Sequence, residues 1–260
     1  MLKGLYTAWT GMVNEQNRMD ILTNNLANST TVGFKKEGST SQAFSDVLAH
    51  KVKDVSEGLG TTRRIGVNNP GVKIGENYTD YSQGSFRITD NTYDLALGGE
   101  GFFAIEFTNK AGETSVKYTR AGQFTLNKEG YLVTTEGDYV LDDKNAHIKI
   151  DTLHDARIDN DGTIYQNDRA VAKIKLVDFE NYDYLTKYGE NYYTPLEGAK
   201  LTDSKATVYS GYLEMSNVQT VSEMVQLISI TRAYESNQKI IQTYDDTLDV
   251  AVNQLGKLQG

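Results

Sequence analysis

Both ends of the chain carry apolar residues at heptad spacing, and the middle does not. In the first segment the row is Leu5, Trp9, Met12, Met19, Leu22 and Leu26; in the last it is Leu227, Ile230, Tyr234, Ile241, Tyr244, Leu248, Ala251, Leu255 and Leu258. A three-four alternation held over several heptads marks a helix that buries one narrow seam against other helices. Ends of this kind are suited to pair with each other and to pack against copies or relatives of the chain. The two rows are therefore the candidate assembly interface, and the pattern points to assembly rather than catalysis.

Charge narrows the partners. A net charge of −9 repels phosphate backbones and anionic lipid, which argues against nucleic acid and membrane surfaces. The local basic pairs Lys35-Lys36 and Arg63-Arg64 read as solvated surface features. The absence of cysteine removes disulfides, thiolate metal sites and cysteine nucleophiles together. Residues 1–17 lack the apolar stretch of a secretory signal, and no window approaches the roughly 20 apolar residues of a membrane span. A chain like this would leave the cytoplasm only by another export route.

The spacing predicts a first helix over 2–28, ending where Asn24, Asn25 and Asn28 lead into Ser29-Thr30-Thr31-Val32-Gly33, since Asn and Ser compete for backbone hydrogen bonds and Gly releases the chain. Gly4 and Gly11 each weaken it by ~1 kcal/mol relative to Ala. Residues 31–71 read as an extended connector with a short helix near Ser41 to Val52. Residues 72–214 read as an antiparallel β domain: alternating runs such as Phe102-Phe103-Ala104-Ile105 are separated by turns such as Asn127-Lys128-Glu129-Gly130 and Asp161-Gly162. Thr220 with Glu223 fits a capping box and opens a last helix to about Leu258, roughly 60 Å long at 1.5 Å per residue. The expected fold is α+β, with residues 1–30 and 215–260 pairing as a coiled-coil assembly domain around a central antiparallel β domain.

Catalytic readings fare poorly. Gly99-Glu100-Gly101-Phe102-Phe103-Ala104 satisfies a relaxed dinucleotide pattern, but a strand follows where a helix N-terminus is needed. Asp159-Asn160-Asp161-Gly162 resembles part of a calcium loop, yet Arg157 occupies the first ligand position and no helices flank it, so a hairpin turn fits better. The histidines are His50, His147 and His154, without a zincin motif or a nucleophile elbow. The sequence gives no catalytic, cofactor or metal residues. The many tyrosines read as cross-strand packing.

Several motifs together resemble one family. Leu5-Tyr6-Thr7-Ala8, Gly11-Met12, Asn24-Asn25-Leu26-Ala27-Asn28 and Thr31-Val32-Gly33-Phe34-Lys35 are similar to the N-terminal signature of the axial proteins of the bacterial flagellum, the rod and hook group. Asp94-Leu95-Ala96-Leu97-Gly98-Gly99-Glu100-Gly101-Phe102-Phe103 and Tyr118-Thr119-Arg120-Ala121-Gly122-Gln123-Phe124 resemble its central β motifs. Gly211-Tyr212-Leu213-Glu214-Met215-Ser216-Asn217-Val218 and Thr231-Arg232-Ala233-Tyr234-Glu235-Ser236-Asn237 resemble its C-terminal helix. Tyr93 and Thr231 depart from the pattern, where Pro and Gln are usual. The long connector and the Arg-Ala-Tyr-Glu stretch resemble the distal-rod members of the group more than the proximal ones. The resemblance implies a non-enzymatic subunit of a tubular, torque-transmitting shaft in the basal body. It further implies passage through the flagellar type III export apparatus and contact with copies of itself, other rod and hook proteins and, in a Gram-negative envelope, surrounding rings. Two rival classes are a cell-wall-binding β module with coiled-coil stalks and a hydrolase of unrecognised type.

Overall fold

The computed structural model describes residues 2–51, 63–109 and 112–255. The chain divides into two compact units, one of residues 1–26, 37–80 and 220–260 and one of residues 27–36 and 81–219. The fold is α+β with a mostly antiparallel β domain.

The first unit is built on two helices, α1 (Leu2–Ala27) and α2 (Thr220–Val250), and α2 passes into a π-helical turn at Ala251–Leu255. The expected α-helix to Leu258 thus loses its regular pitch after Val250; Leu258 and the side chain of Leu255 lie outside the described residues. α2 opens with Glu223 in its first turn, where a carboxylate suits the positive end of the helix dipole.

The two helices run antiparallel in a fixed register. A methyl group built on Gly4 would strike the Tyr244 hydroxyl, one on Gly11 would lie 3.0 Å from the Asn237 amide nitrogen, and Asn25 Nδ2 donates to Glu223 Oε2 at 3.4 Å. Seven residues forward along α1 are answered by seven back along α2, and fourteen by fourteen. The α1 face turned to α2 is therefore the row of Gly4, Ala8, Gly11, Leu22 and Asn25, of which Ala8, Leu22 and Asn25 are buried. The apolar row read from the sequence lies mostly one residue over. Leu5, Met12, Met19 and Leu26 are half-buried, and Trp9 is 52% exposed. Small residues take the inner face because Tyr244 and Asn237 need the room that a side chain would fill. On α2, Ile230 is buried, Leu227, Tyr234, Ile241 and Tyr244 are half-buried, and Leu248 is exposed near the far end.

Four strands complete this unit: β1 (Glu37–Ala43), β2 (Val47–Lys51), β3 (Arg63–Asn68) and β4 (Val72–Thr79). β1 pairs antiparallel with β4 and β2 with β3. The helix expected near Ser41 to Val52 is not formed; its described residues are strand and loop. The stretch Gly38-Ser39-Thr40-Ser41 has low helix propensity, and β4 offers it a ladder. Polar side chains of α1 fasten β1: Asn14 Nδ2 donates to Ser41 Oγ at 3.0 Å, Asn25 Nδ2 to the Glu37 carbonyl at 2.8 Å, and the Glu37 N–H to Asn25 Oδ1 at 2.9 Å.

The second unit holds β5 (Phe86–Ile88), β6 (Leu95–Gly98), β7 (Phe102–Thr108), β8 (Thr114–Thr119), β9 (Phe124–Leu126), β10 (Leu132–Thr134), β11 (Tyr139–Val140), β12 (Ala156–Ile158), β13 (Thr163–Gln166), β14 (Arg169–Lys173), β15 (Leu176–Phe179), β16 (Leu185–Tyr188), β17 (Tyr192–Pro195), β18 (Leu201–Asp203), β19 (Thr207–Ser210) and β20 (Tyr212–Glu214). The main sheet runs in the order β16-β17-β8-β7-β11-β10-β9, with β15 also on β7 and β18 on β15; β12-β13-β14, β6-β19 and β5-β20 form smaller antiparallel sets. Because side chains alternate along a strand, β7 sends Phe103 and Ile105 into one apolar cluster and Phe102 and Ala104 into another. The sheet is therefore covered on both faces. The Asp159–Gly162 segment is the turn of the β12-β13 hairpin, and Gly99–Gly101 joins β6 to β7.

Candidate functional site

Three charged side chains from distant parts of the chain meet in the interior of the second unit. Lys35 Nζ lies 2.6 Å from Glu214 Oε1, and Arg120 Nη1 lies 3.2 Å from Glu214 Oε2. Lys35, Arg120 and Glu214 are at most 3% exposed. Two cations around one carboxylate, all withdrawn from water, are tolerated only if further hydrogen bonds saturate them. The backbone supplies most of these, while Arg120 Nε is buried without a hydrogen-bond partner among the described residues. Lys35 Nζ donates to the Ser82 carbonyl at 2.8 Å, Arg120 Nη2 donates to the Gly99 carbonyl at 2.7 Å, and the Gly84 N–H donates to Glu214 Oε1 at 3.0 Å. The Arg120 guanidinium also stands over the Phe102 ring, 5.4 Å from its centroid.

Local sequence explains how each charge arrives there. Gly33 adopts φ +69°, and a side chain on it would run into the backbone of Ala121, so only glycine lets the turn leaving α1 pass this close to the Arg120 loop. Its N–H donates to the Glu214 carbonyl at 2.8 Å. The Lys36 N–H donates to Asn217 Oδ1 at 2.8 Å, and Asn217 Nδ2 donates to Ser82 Oγ at 3.0 Å. Segments 33–36 and 214–217, which lead out of α1 and into α2, are thus tied side by side and to the loop before β5. Next to the charges, Tyr81 packs with Phe102, Tyr182 and Tyr193 at centroid distances of 4.8 to 6.0 Å, an aromatic group in which Tyr81 lies in a loop and Tyr182 in a 3-10 turn rather than on facing strands.

Sequence reasoning missed this cluster. It placed Lys35 on the solvated surface with Lys36; the structure corrects this, since Lys35 is 1% exposed. A usable signal was present. Arg120 and Glu214 each stand in uncharged surroundings, with Ala121-Gly122 after Arg120 and Leu213 and Met215 around Glu214, and Lys35, though followed by Lys36, comes directly after Val32-Gly33-Phe34. A lone charge in such a setting is a candidate for pairing inside the fold.

The Glu214 carboxylate accepts from Lys35, Arg120 and the Gly84 N–H, so the cluster ties four separate stretches of the chain together. The histidines of the second unit are occupied elsewhere: His147 Nε2 is 2.9 Å from Glu106 Oε2 and stacks on Tyr139, and His154 Nδ1 is 3.0 Å from the exposed Asp151, not paired with its neighbour Asp155. Asp151 is held below the usual carboxylate range, first by the Leu153 N–H and then by His154. Among the described residues there is no group of three or more His, Asp or Glu side chains able to hold a metal ion.

The three charges fall one into each of three family regions. Residues 5–35 match the family described as flagella basal body rod protein, 96–166 the D1 domain of the flagellar hook protein FlgE/F/G, and 209–255 the C-terminal region of flagellar basal body rod FlgEFG proteins. The chain is 34% identical over 271 residues to the flagellar basal-body rod protein FlgG of Bacillus subtilis, covering 97% of this chain and 99% of that one. It is 36% identical over 262 residues to the flagellar basal-body rod protein FlgF of Caulobacter vibrioides, covering 99% and 100%. It is also 32% identical over 273 residues to the flagellar hook-basal body complex protein FlhO of Bacillus subtilis, covering 99% and 100%. The chain belongs to the family of flagellar basal-body rod proteins, structural subunits of the flagellar basal body.

Proposed function

We propose that this chain is a distal-type rod subunit whose paired end helices form a coiled-coil assembly domain and stack with those of neighbours into a torque-transmitting shaft. The observation that carries the reading is the antiparallel α1-α2 pair, which covers one face of each helix within the chain and leaves Trp9, Val225 and Ile228 exposed. Covering such side chains is worth ~1.5 to 3 kcal/mol each, and neighbouring subunits can supply the cover. The row of Leu5, Trp9, Met12, Met19, Leu22, Leu26, Leu227, Ile230, Tyr234, Ile241, Tyr244, Leu248, Leu255 and Leu258 is the proposed interface, shared between the pair itself and its neighbours. Heterologous contacts that do not close give filaments. Passage through the type III export apparatus, and contact with other rod and hook proteins and with envelope rings, belong to the same reading.

The buried charge cluster fits a shaft subunit. Torque must pass between β body and helices, and the Lys35–Glu214–Arg120 cluster braces the strands that lead to both helices. Deletion of the gene in a motile host should leave cells without hooks and filaments, restored by the wild-type chain. Cells that keep both would overturn the reading. Binding of the purified chain to cell-wall polymer, with hooks intact in the deletion strain, would favour the cell-wall module.

A further inference from the structure

The helix pair carries two apolar patches that stand exposed among the described residues. On α2, Val221, Met224, Val225 and Ile228 are 74%, 48%, 62% and 55% exposed. Their spacing puts them on one face over two turns, on the far side from Ile230 and Tyr234, which face α1. On α1, Tyr6 is 62% and Trp9 52% exposed, on the side away from Gly4, Ala8 and Gly11.

Both patches sit in charge-free stretches. Residues 4–14 contain no charged side chain, and residues 215–231 contain only Glu223, which is turned inward and 1% exposed. Beyond them the helices are charged, with Glu15, Arg18 and Asp20 on α1 and Arg232, Glu235 and Lys239 on α2. Depletion of charge around exposed aliphatic and aromatic side chains is the compositional mark of an interface core.

We propose that the Tyr6-Trp9 patch of one copy of this chain docks on the Val221–Ile228 patch of a second copy, head to tail. The inference rests on the shaft reading and deepens it by naming the two surfaces and the partner. Geometry argues for a second copy in an open array. Each patch faces away from the other helix, so the two lie on opposite sides of the pair. By the Gly11-Asn237 register, Trp9 stands about fourteen residues, or roughly 21 Å at 1.5 Å per residue, along the pair from the level of Val225. Two copies cannot satisfy both patches of each other at once, so the contact repeats rather than closes. The contact is also small. An aromatic side chain buries about 150–250 Å², whereas a stable pair buries roughly 1,200–2,000 Å² in total. One docking alone falls short, which keeps dilute chains apart until an array offers several contacts together.

The chain has no cysteine, which makes the test clean. Tyr6→Cys and Ile228→Cys, both at exposed positions, are expressed in a deletion strain, and basal bodies are oxidised in place. The doubly substituted chain should give a ladder at multiples of the chain mass, and co-expressed single variants should give a dimer. Either single variant alone should give neither. Adding Trp9→Ala should lower the cross-linked yield roughly tenfold or more. Self-linking of Tyr6→Cys would overturn the head-to-tail geometry, and linkage to a chain of another mass would overturn the choice of partner. An unlinked chain in normally motile cells would overturn these surfaces while leaving the shaft reading intact, since that reading fails only if the deletion strain keeps its hooks.

Discussion

Lys35 and Glu214 lie 179 residues apart in sequence and 2.6 Å apart in space, and neither side chain is more than 1% exposed. Their pairing lets Arg120 approach the same carboxylate from its other oxygen. One anion thus holds two cations, so the three positions are not equivalent. Glu214→Gln strands both cations in the interior and should cost about 3–5 kcal/mol. Lys35→Met removes one of the two like charges and leaves Arg120 paired, so its loss should be smaller. Denaturation midpoints of the full chain check the order. Equal or reversed losses would mean that packing around Phe34, not charge, holds the junction.

Asn25 supports the other unit in a comparable way. Its side chain accepts from the Glu37 N–H, donates to the Glu37 carbonyl, and also donates to Glu223. Asn25→Ala leaves the two Glu37 backbone groups without that partner, at about 1–3 kcal/mol for each buried group so stranded. Asn25→Asp should be worse, although it keeps the acceptor, because it sets a carboxylate against the Glu37 carbonyl and the Glu223 carboxylate. Thermal loss of the helical circular dichroism should come at the lowest temperature for Asn25→Asp, then Asn25→Ala, then wild type. An aspartate variant as stable as wild type would show that the donor bonds contribute nothing.

What could be read from the sequence follows from which interactions are periodic. The β body announces itself through the alternation of Phe102, Phe103, Ala104 and Ile105, since each face of a strand repeats every second residue. On α2 the same kind of period picks out Leu227, Ile230 and Tyr234, of which Ile230 is buried. α1 was read mostly one residue out because hydrophobicity marks what must leave water, not which helix covers it. Gly4 and Gly11 face α2, while Trp9 points elsewhere. The strands over 37–51 were missed because the Ser, Thr and Gly of β1 carry no apolar period, and the ladders depend on partners about 12 to 42 residues away. The charge cluster was only faintly marked in any local window, since Lys35 beside Lys36 looks solvated until Glu214, 179 residues away, is brought to it.

The last prediction concerns high pH. Tyr192 is buried against the sheet and donates its hydroxyl proton to Asp138 Oδ2 at 2.9 Å. Burial pushes its pKa well above the ordinary 10.0; a bond from Thr134 opposes the rise and the Asp138 carboxylate adds to it. Tyr182, bonded to Asp178 at 2.8 Å, is pushed up by burial and by that carboxylate in the same direction. For a group whose folded pKa is raised, the folded state binds the proton more tightly than the unfolded one. The resulting stability is fully present below the unfolded value near pH 10 and is lost as pH rises from there toward the folded pKa. Wild-type stability should therefore fall steeply above about pH 10. Tyr192→Phe should be less stable near neutrality by about 1.5–3 kcal/mol, the worth of a hydrogen bond to a charged acceptor, and should fall less steeply in the alkaline range, so that the two denaturation curves converge. Parallel curves for the two proteins would show that the Tyr192 proton is not linked to folding.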